Sequence, residues 1–483
     1  MQGFGVFLFY MKKLFTLFAL TATLHSVAQE KWDLRRCVDY AIQNNISVKQ
    51  ADVQARLSKL QADQVRLTRL PNANASVTTT YQHGLNINPT TNVFENIDIS
   101  GGNLGFQANY TIFNWFTRKN NIEANAISAK ADEMNIEKTK NDLALTVANA
   151  FLQVMLRKEQ VNVSKVQLQQ SQEQLRNTRK FVEAGSQPEL NAIQIEAQVE
   201  RDSSTYIQAL AGVEQGLINL KAFMNIDFAT AFDIVYPDVA SIPVENLLDL
   251  QPESVYSLAI ANQPQQKVTA LRIEAAQRLV AASRGAMYPT LTASGSLSTR
   301  FANNVYDYRT QSIVGNTGAY ALDNTKQYPV YAPLNSVVGI DKVAFGAQLN
   351  RYFGQAIGLN LSVPLFNAHQ ARTQWERTKI NVRQTQLQDD QEKQTLRSNI
   401  YNSYQDAYSA LQKYNAAKKS VAVSEKALDY AQKRYDVGLL GTLDLITTRN
   451  NVFTAKITEL SNHYEYVFKL KVLEFYKGLG IKL

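Results

Sequence analysis

Few residues in this 483-residue chain stand where they could do chemistry. The four histidines, His25, His83, His369 and His463, are scattered, and no two share the spacing of metal ligands. Cys37 is the single cysteine, so no disulfide can close within the chain, and on a helix it reads as a small apolar residue. No Ser/His/Asp grouping, phosphate-cradling glycine loop or pocketed pair of carboxylates is visible. The expectation is therefore no enzyme, no cofactor and no metal. What is left is a set of punctuating residues: Gly185, Ser186 and Pro188, then Tyr435, Gly438, Leu439, Leu440, Gly441, Asp444 and Thr447. The two glycines 185 and 438 read as helix C-terminal caps with positive φ, and Pro188 as the first residue of the next helix. Asp444, after Gly441-Thr442, reads as an acid complementing a helix dipole. Function must then be sought in the long elements that carry these turns.

Hydrophobic residues make up 45% and charged residues 19% of the chain, which excludes a disordered polymer. The net charge of +8 is spread thinly, without the concentrated basic stripe that nucleic acid requires. Met11-Lys12-Lys13, the apolar run Leu14–Leu24 and the small residues of Ser26-Val27-Ala28 predict a secretory signal peptide over 1–28, cleaved after Ala28, with translation starting at Met11. No cysteine follows that site, so an N-terminal lipid is not expected. No later stretch holds 18 consecutive apolar residues, so any membrane insertion must be as a β-barrel.

The chain repeats itself. Ala41-Ile42-Gln43-Asn44-Asn45 matches Ala259-Ile260-Ala261-Asn262-Gln263, and Leu70-Pro71 matches Tyr288-Pro289, at one offset. Ile112-Phe113-Asn114 and Gly185 match Leu365-Phe366-Asn367 and Gly438 at a larger one, so the second copy has gained residues between its strands. Repeat one spans 29–226 and repeat two 252–477; 227–251 reads as the linker and 478–483 as a tail. Each copy reads helix, strand, strand, long helix, turn, helix. Strands are expected at 72–82, 103–113, 290–300 and 356–366. In each, apolar residues (Val77, Phe106, Leu297, Leu359) alternate with small polar ones (Thr78, Gln107, Ser296, Asn360). That is the length and pattern of a tilted strand crossing a bilayer, with a wet, nearly uncharged second face. Four strands cannot close a barrel, and the smallest closed barrels of this kind use about eight, so copies must pool their strands.

Long helices are expected over 114–184 and 367–437, with Asn114 and Asn367 as N-caps, and shorter ones near 31–70, 188–226, 252–287 and 442–477. Two short helices end to end match one long helix. Val147, Val154, Val161, Leu168, Leu175 and Val182 recur every seven residues, beside a row of mostly small residues that includes Ala150, Ser164, Ser171 and Thr178. Both rows reappear in the second copy, and heptad rows make coiled-coil seams. A soluble periplasmic coiled-coil scaffold is the alternative function; it explains the heptads but not the strands. Tyr81, Tyr110, Phe113, Trp115, Phe116 and Phe366 are candidates for a membrane-interface girdle. The enlarged loop 301–353 joins two strands away from the helices and should face outside the cell.

The ordered, duplicated pattern resembles the TolC family of outer-membrane efflux proteins over about residues 30–478. Trp32-Asp33-Leu34-Arg35-Arg36-Cys37-Val38 looks like the family's first helix, Val363-Pro364-Leu365-Phe366-Asn367-Ala368 like its strand-to-helix junction, and Arg434-Tyr435-Asp436-Val437-Gly438 followed by Asp444 like its hairpin tip. The resemblance implies a mainly α fold with membrane β: long coiled-coil-like hairpins forming a periplasmic α-barrel, and four β-strands per protomer in a shared 12-stranded trimeric β-barrel. It implies an exit duct of a tripartite efflux or type I secretion system. Its partners would be two further copies, outer-membrane lipid, a periplasmic adaptor and an inner-membrane pump of the RND, ABC or MFS type. Residues 227–251 would join an equatorial belt. Tyr435 and Asp444 match gate-type residues, whereas Leu440 stands where an arginine can occur and Thr447 where a second aspartate can, so a salt-bridged latch is not carried over. Three converging Asp444 carboxylates would attract cations. Gly185, Ser186, Gly438, Leu439 and Gly441 would be the turns an adaptor meets.

Overall fold

The structure, a computed structural model, describes residues 31–88, 92–236, 239 and 242–478. The expected signal peptide, Pro237 of the linker and all but the first residue of the tail lie outside these. Two compact units form, one from residues up to Lys59, Ile127–Glu274 and Arg383 onward, the other from Leu60–Ala126 and Ala275–Val382. They are not the two repeats; each repeat contributes to both.

The second unit holds a sheet in the order β2(Asn72–Ile87), β3(Phe94–Phe113), β5(Thr290–Ala302), β8(Gly354–Ser362), antiparallel throughout. Its register shows why alternation in the sequence mattered. Ala73, Ala108, Gly295 and Ile357 stand in one cross-strand row, and Val77, Leu104 and Thr299 in another on the same face. Asn72, Asn109, Ser294 and Gly358 form a row on the opposite face, as do Asn74, Gln107, Ser296 and Ala356. Over these rows one face is apolar and the other carries amides and hydroxyls, while further along β2 and β3 the His83–Asp98 pair stands on the first face. Glu95 and Arg300 are charges on the polar face, and the Arg300 guanidinium lies 4.7 Å over the Tyr352 ring.

Three details depart from the expected strands. The first two run further than the alternation suggested, to Ile87 and back to Phe94. A register shift between Thr111 and Phe113 makes Ile112 a bulge, so Phe113 opposite Leu291 takes the apolar place expected of Ile112. The fourth strand ends at Ser362 instead of continuing to 366, because Pro364 has no N–H to donate and restricts Val363. The loop 301–353 is itself structured. It folds as a hairpin of β6(Tyr306–Asp323) and β7(Lys326–Lys342), followed by a short helix, Phe345–Arg351.

The strand-to-helix junctions differ from simple N-caps. In both copies two consecutive residues are left-handed, Trp115 and Phe116 (φ 51° and 61°) and Ala368 and His369 (φ 50° and 59°). The long helices therefore start at Thr117 and Gln370, three residues after Asn114 and Asn367. Asn114 still serves as an anchor: its carbonyl accepts from Thr117 N–H at 3.0 Å and its Oδ1 from Arg118 N–H at 3.3 Å. Trp115 and Phe116 do not begin the helix. Their rings pack with Phe113, and Trp115 lies 4.9 Å from Tyr288.

The first unit is mostly helical, and several helices run on into the second, which alone holds the short helix Phe345–Arg351. The helices, in chain order, are α1(Leu34–Asn44), α2(Ile46–Leu67), α3(Thr117–Glu183), α4(Glu189–Met224), α5(Pro252–Asn262), α6(Pro264–Gly285), α7(Phe345–Arg351), α8(Gln370–Asp436) and α9(Thr442–Tyr476). At 67 residues each, α3 and α8 contain about 100 Å of helix. The first short helix of each copy, expected to be continuous, is broken at Asn45 and at its counterpart Gln263. Pro264 explains the second break. At the first, Asn45 Oδ1 accepts from Ser47 N–H at 2.8 Å while its Nδ2 donates to the Phe223 carbonyl at 2.7 Å, so an asparagine does a proline's work.

The core gathers Cys37 and Ala41 of α1, Val147, Phe151, Val154 and Met155 of α3, Leu220 and Met224 of α4, and Tyr464 and Val467 of α9. Burial pushes the Cys37 thiol up to about 12, which makes it chemically inert. The described residues of 227–251 are bound down rather than free. A short strand, β4(Asp233–Ile234), pairs parallel with β1(Lys31–Trp32), and Lys158 forms an ion pair with Asp233. Buried Lys221 donates to the carbonyls of Phe228 and Thr230, and buried Lys471 to that of Pro243. These bonds satisfy both ammonium groups and main-chain oxygens that would otherwise be stranded.

Candidate functional site

The punctuating residues fall at two helix-hairpin turns, α3–α4 and α8–α9, both in the first unit. The two turns are built alike. Gly185 (φ 70°) donates to the Val182 carbonyl and Ser186 N–H to that of Phe181, at 2.9 and 2.8 Å. Gly438 (φ 76°) donates to Tyr435 and Leu439 N–H to Arg434, at 2.9 and 2.8 Å. This is the Schellman pair of bonds that closes a helix through a left-handed glycine. Pro188 caps α4 rather than opening it, one position earlier than expected.

The structure joins the two turns through Tyr435. This buried residue donates its phenol to Gln187 Oε1, in the other turn, at 3.3 Å. Asp444 sits exposed in the first turn of α9, where a carboxylate complements the helix dipole. Thr447 is exposed and bonds back to the Leu443 carbonyl, and Leu440 is half-buried. Apolar side chains crowd both turns in the open: Phe181 and Leu190 at the first, Val437, Leu439 and Leu443 at the second.

Just inside the turns lies a cluster that sequence reasoning missed. Toward the tip the buried row of α3 is the small polar one, Ser164, Ser171 and Thr178, while Leu168 and Leu175 of the apolar row are only half-buried. Against it, Gln198 of α4 donates to Asp202 Oδ1 at 2.8 Å and to Asn450 Oδ1 at 3.1 Å, and Asn450 Nδ2 returns a bond to Gln198 Oε1 at 3.3 Å. Arg201 also donates to Gln198 Oε1, at 2.8 Å. Arg449 donates to Gln174 of α3 and Gln432 of α8, at 3.1 and 2.8 Å. Four helices are thereby linked by amides and by the Arg449 guanidinium, with Arg201 bracing Gln198, a directional lock where an apolar seam would be slippery. Burial holds the Asp202 carboxyl above its ordinary range, an effect that the Ser171 hydroxyl and the Gln198 amide only partly offset. The available signal was the heptad repetition of Ser and Thr beside Gln and Asn, a pattern shared by any solvated helix face.

The described residues thus hold a four-stranded sheet with one apolar face and two long helical hairpins that end in matched turns. The solved structure of CusC has this fold, at a TM-score of 0.75 and 16% identity, covering 94% of this chain and 96% of that one. The chain belongs to the outer membrane efflux protein family, whose model matches residues 37–225 and 339–478. It is 22% identical over 369 residues to outer membrane efflux protein BepC of Brucella suis, covering 76% of this chain and 70% of the relative. It is 23% identical over 377 residues to the pyoverdine export outer membrane protein OpmQ of Pseudomonas aeruginosa, covering 75% and 66%. It is accordingly an exit duct of the outer membrane, with its helical part in the periplasm.

The polar cluster makes a pH-dependent prediction. Because folding raises the Asp202 pKa, the folded chain holds that proton more tightly than the unfolded one, so stability is lost as pH rises from the ordinary carboxylate value. Asp202→Asn should raise the melting temperature at pH 7, and the gain should fade as pH falls toward about 4. Equal shifts at both pH values would contradict the assignment.

Proposed function

We propose that three copies of this chain pool their sheets into one 12-stranded barrel and their hairpins into a helical duct that receives solutes from a periplasmic adaptor and its inner-membrane pump. The observation that carries the reading is the sheet itself. Its edges, β2 and β8, end the strand order, and in lipid an unpaired edge leaves each backbone group short by several kcal/mol. Pairing β8 of one copy with β2 of the next removes every edge. Passage is passive, along the amide- and hydroxyl-lined face.

The two turns are the docking points. Gly185, Ser186, Gly438, Leu439 and Gly441 form rigid, similar loops flanked by exposed apolar side chains, the surface character of a contact awaiting a partner. The periplasmic entrance is formed by the same tips. Tyr435 couples the two hairpins through Gln187, and Asp444 supplies one carboxylate per copy around the axis. Leu440 and Thr447 leave that entrance without a salt-bridged latch or a second acidic ring, so the buried cluster of Gln198, Asn450 and Arg449 is what holds it shut.

Gly438→Val tests docking. Around Gly438 there is open space, so the substitution meets no neighbour and its cost is the left-handed backbone alone, about 1–2 kcal/mol. Trimers should still form while export from cells falls to background; normal export would refute the docking role. In planar bilayers, Asp444→Asn should lower the preference for cations over anions, and an unchanged ratio would remove Asp444 from the pathway.

A further inference from the structure

The hairpin β6–β7 has no counterpart between β2 and β3, whose connection is only a few residues long. It springs from the end of the sheet opposite the strand-to-helix junctions, which an outer-membrane duct with a periplasmic helical part turns toward the exterior. Among the described residues, two strands of 18 and 17 residues pair only with each other. A lone two-stranded ribbon is marginal in water. This one also exposes Val314, Leu322, Tyr320, Tyr331, Val338 and Ile340, each by more than half of its surface. Such a surface needs a cover.

Charge decides what covers it. No Asp, Glu, Lys or Arg occurs in 310–322 or 327–340. The charges at the base are neutralised locally: Arg309 pairs with Asp341 at 2.9 Å, and Arg351 grips Asp307 through two bonds of 2.6 Å. At the tip Asp323 stands opposite Lys326. Around a shared axis the same residues of every copy converge, so a ribbon whose long middle carries no charge avoids like-charge repulsion there. Lipid is a poorer cover, since Thr310, Gln311, Ser312, Asn316, Asn335 and Ser336 interrupt both faces. Continuation of strand pairing along β7 is hindered, because Pro329 and Pro333 lack the N–H a neighbouring strand would need. Contact must therefore run through side-chain faces. The ribbon also bends midway: register slips between Asn316 and Tyr320 around Gly318 (φ 75°), with Asn316 Oδ1 accepting from Gly318 N–H at 2.9 Å.

Position supplies the partner. The hairpin lies between β5 and β8, and β8 is the sheet edge that must meet the next copy. Three hairpins would rise beside the three seams of one barrel. We propose that the β6–β7 hairpins of the pooled copies pack on one another through their uncharged, tyrosine-bearing faces and form a collar that narrows the external mouth of the duct. The inference rests on the pooled-barrel reading.

Two variants test it. Val338→Cys in the full-length protein should give inter-copy cross-links with a short bis-maleimide, and Cys37, buried and inert, should contribute none. Replacing residues 310–340 by a Gly-Asn turn, with Arg309 and Asp341 kept, should leave trimers intact and raise single-channel conductance severalfold. Absence of cross-links, or trimmed trimers that conduct like the intact protein, would overturn the collar. Failure of the barrel reading looks different: neither form would migrate as a trimer or conduct at all.

Discussion

The main-chain hydrogen bonds at the two edges of one four-stranded sheet govern this molecule. Within the sheet each strand satisfies its neighbour, but β2 and β8 each turn a row of N–H and C=O groups outward. Water would satisfy those rows; hydrocarbon does not. The apolar face built by Ala73, Val77, Phe106, Leu297 and Ile357 commits the sheet to hydrocarbon, so its edges are compelled to find strands from other copies. Assembly, the wet inner wall and the passive character of transport follow from that one unmet requirement.

Away from the sheet, order comes from a different balance. Near the α1, α3, α4 and α9 core, packing is apolar and tight. Toward the tips the seam changes to the small residues Ser164, Ser171 and Thr178 beside Gln198, Asn450 and Arg449, whose amides and guanidinium supply directional hydrogen bonds. Such an interface is cheaper to open than an apolar one, because water can replace each bond as the helices part. On the proposed reading, the elements that part at the duct entrance belong to this end of the fold. The glycine turns beyond it stay fixed by their own capping bonds whichever way the helices lean.

The legibility of the sequence follows the strength of its periodic signals. Two-residue alternation survived into a register that separates apolar from polar rows, and the duplicated glycines and asparagines marked turns and junctions at matching places in both copies. Isolated exceptions were lost. The bulge at Ile112 leaves no compositional trace, and the break at Asn45 depends on an asparagine bonding a carbonyl far along the chain. The hairpin in 301–353 read as a loop because its strands mix apolar and polar residues on both faces, so no period stands out. The tip cluster was invisible for the opposite reason: its residues are those of an ordinary wet helix surface, and only the packing of four helices shows that Gln198 and Asp202 are buried.

The central claim is that one copy cannot make a closed barrel. The direct measurement is the mass of the detergent-solubilised protein, alongside its sedimentation when detergent is withheld. The account predicts a particle of three chains that requires detergent and aggregates without it. A monodisperse single chain, folded and stable in plain buffer, would contradict it.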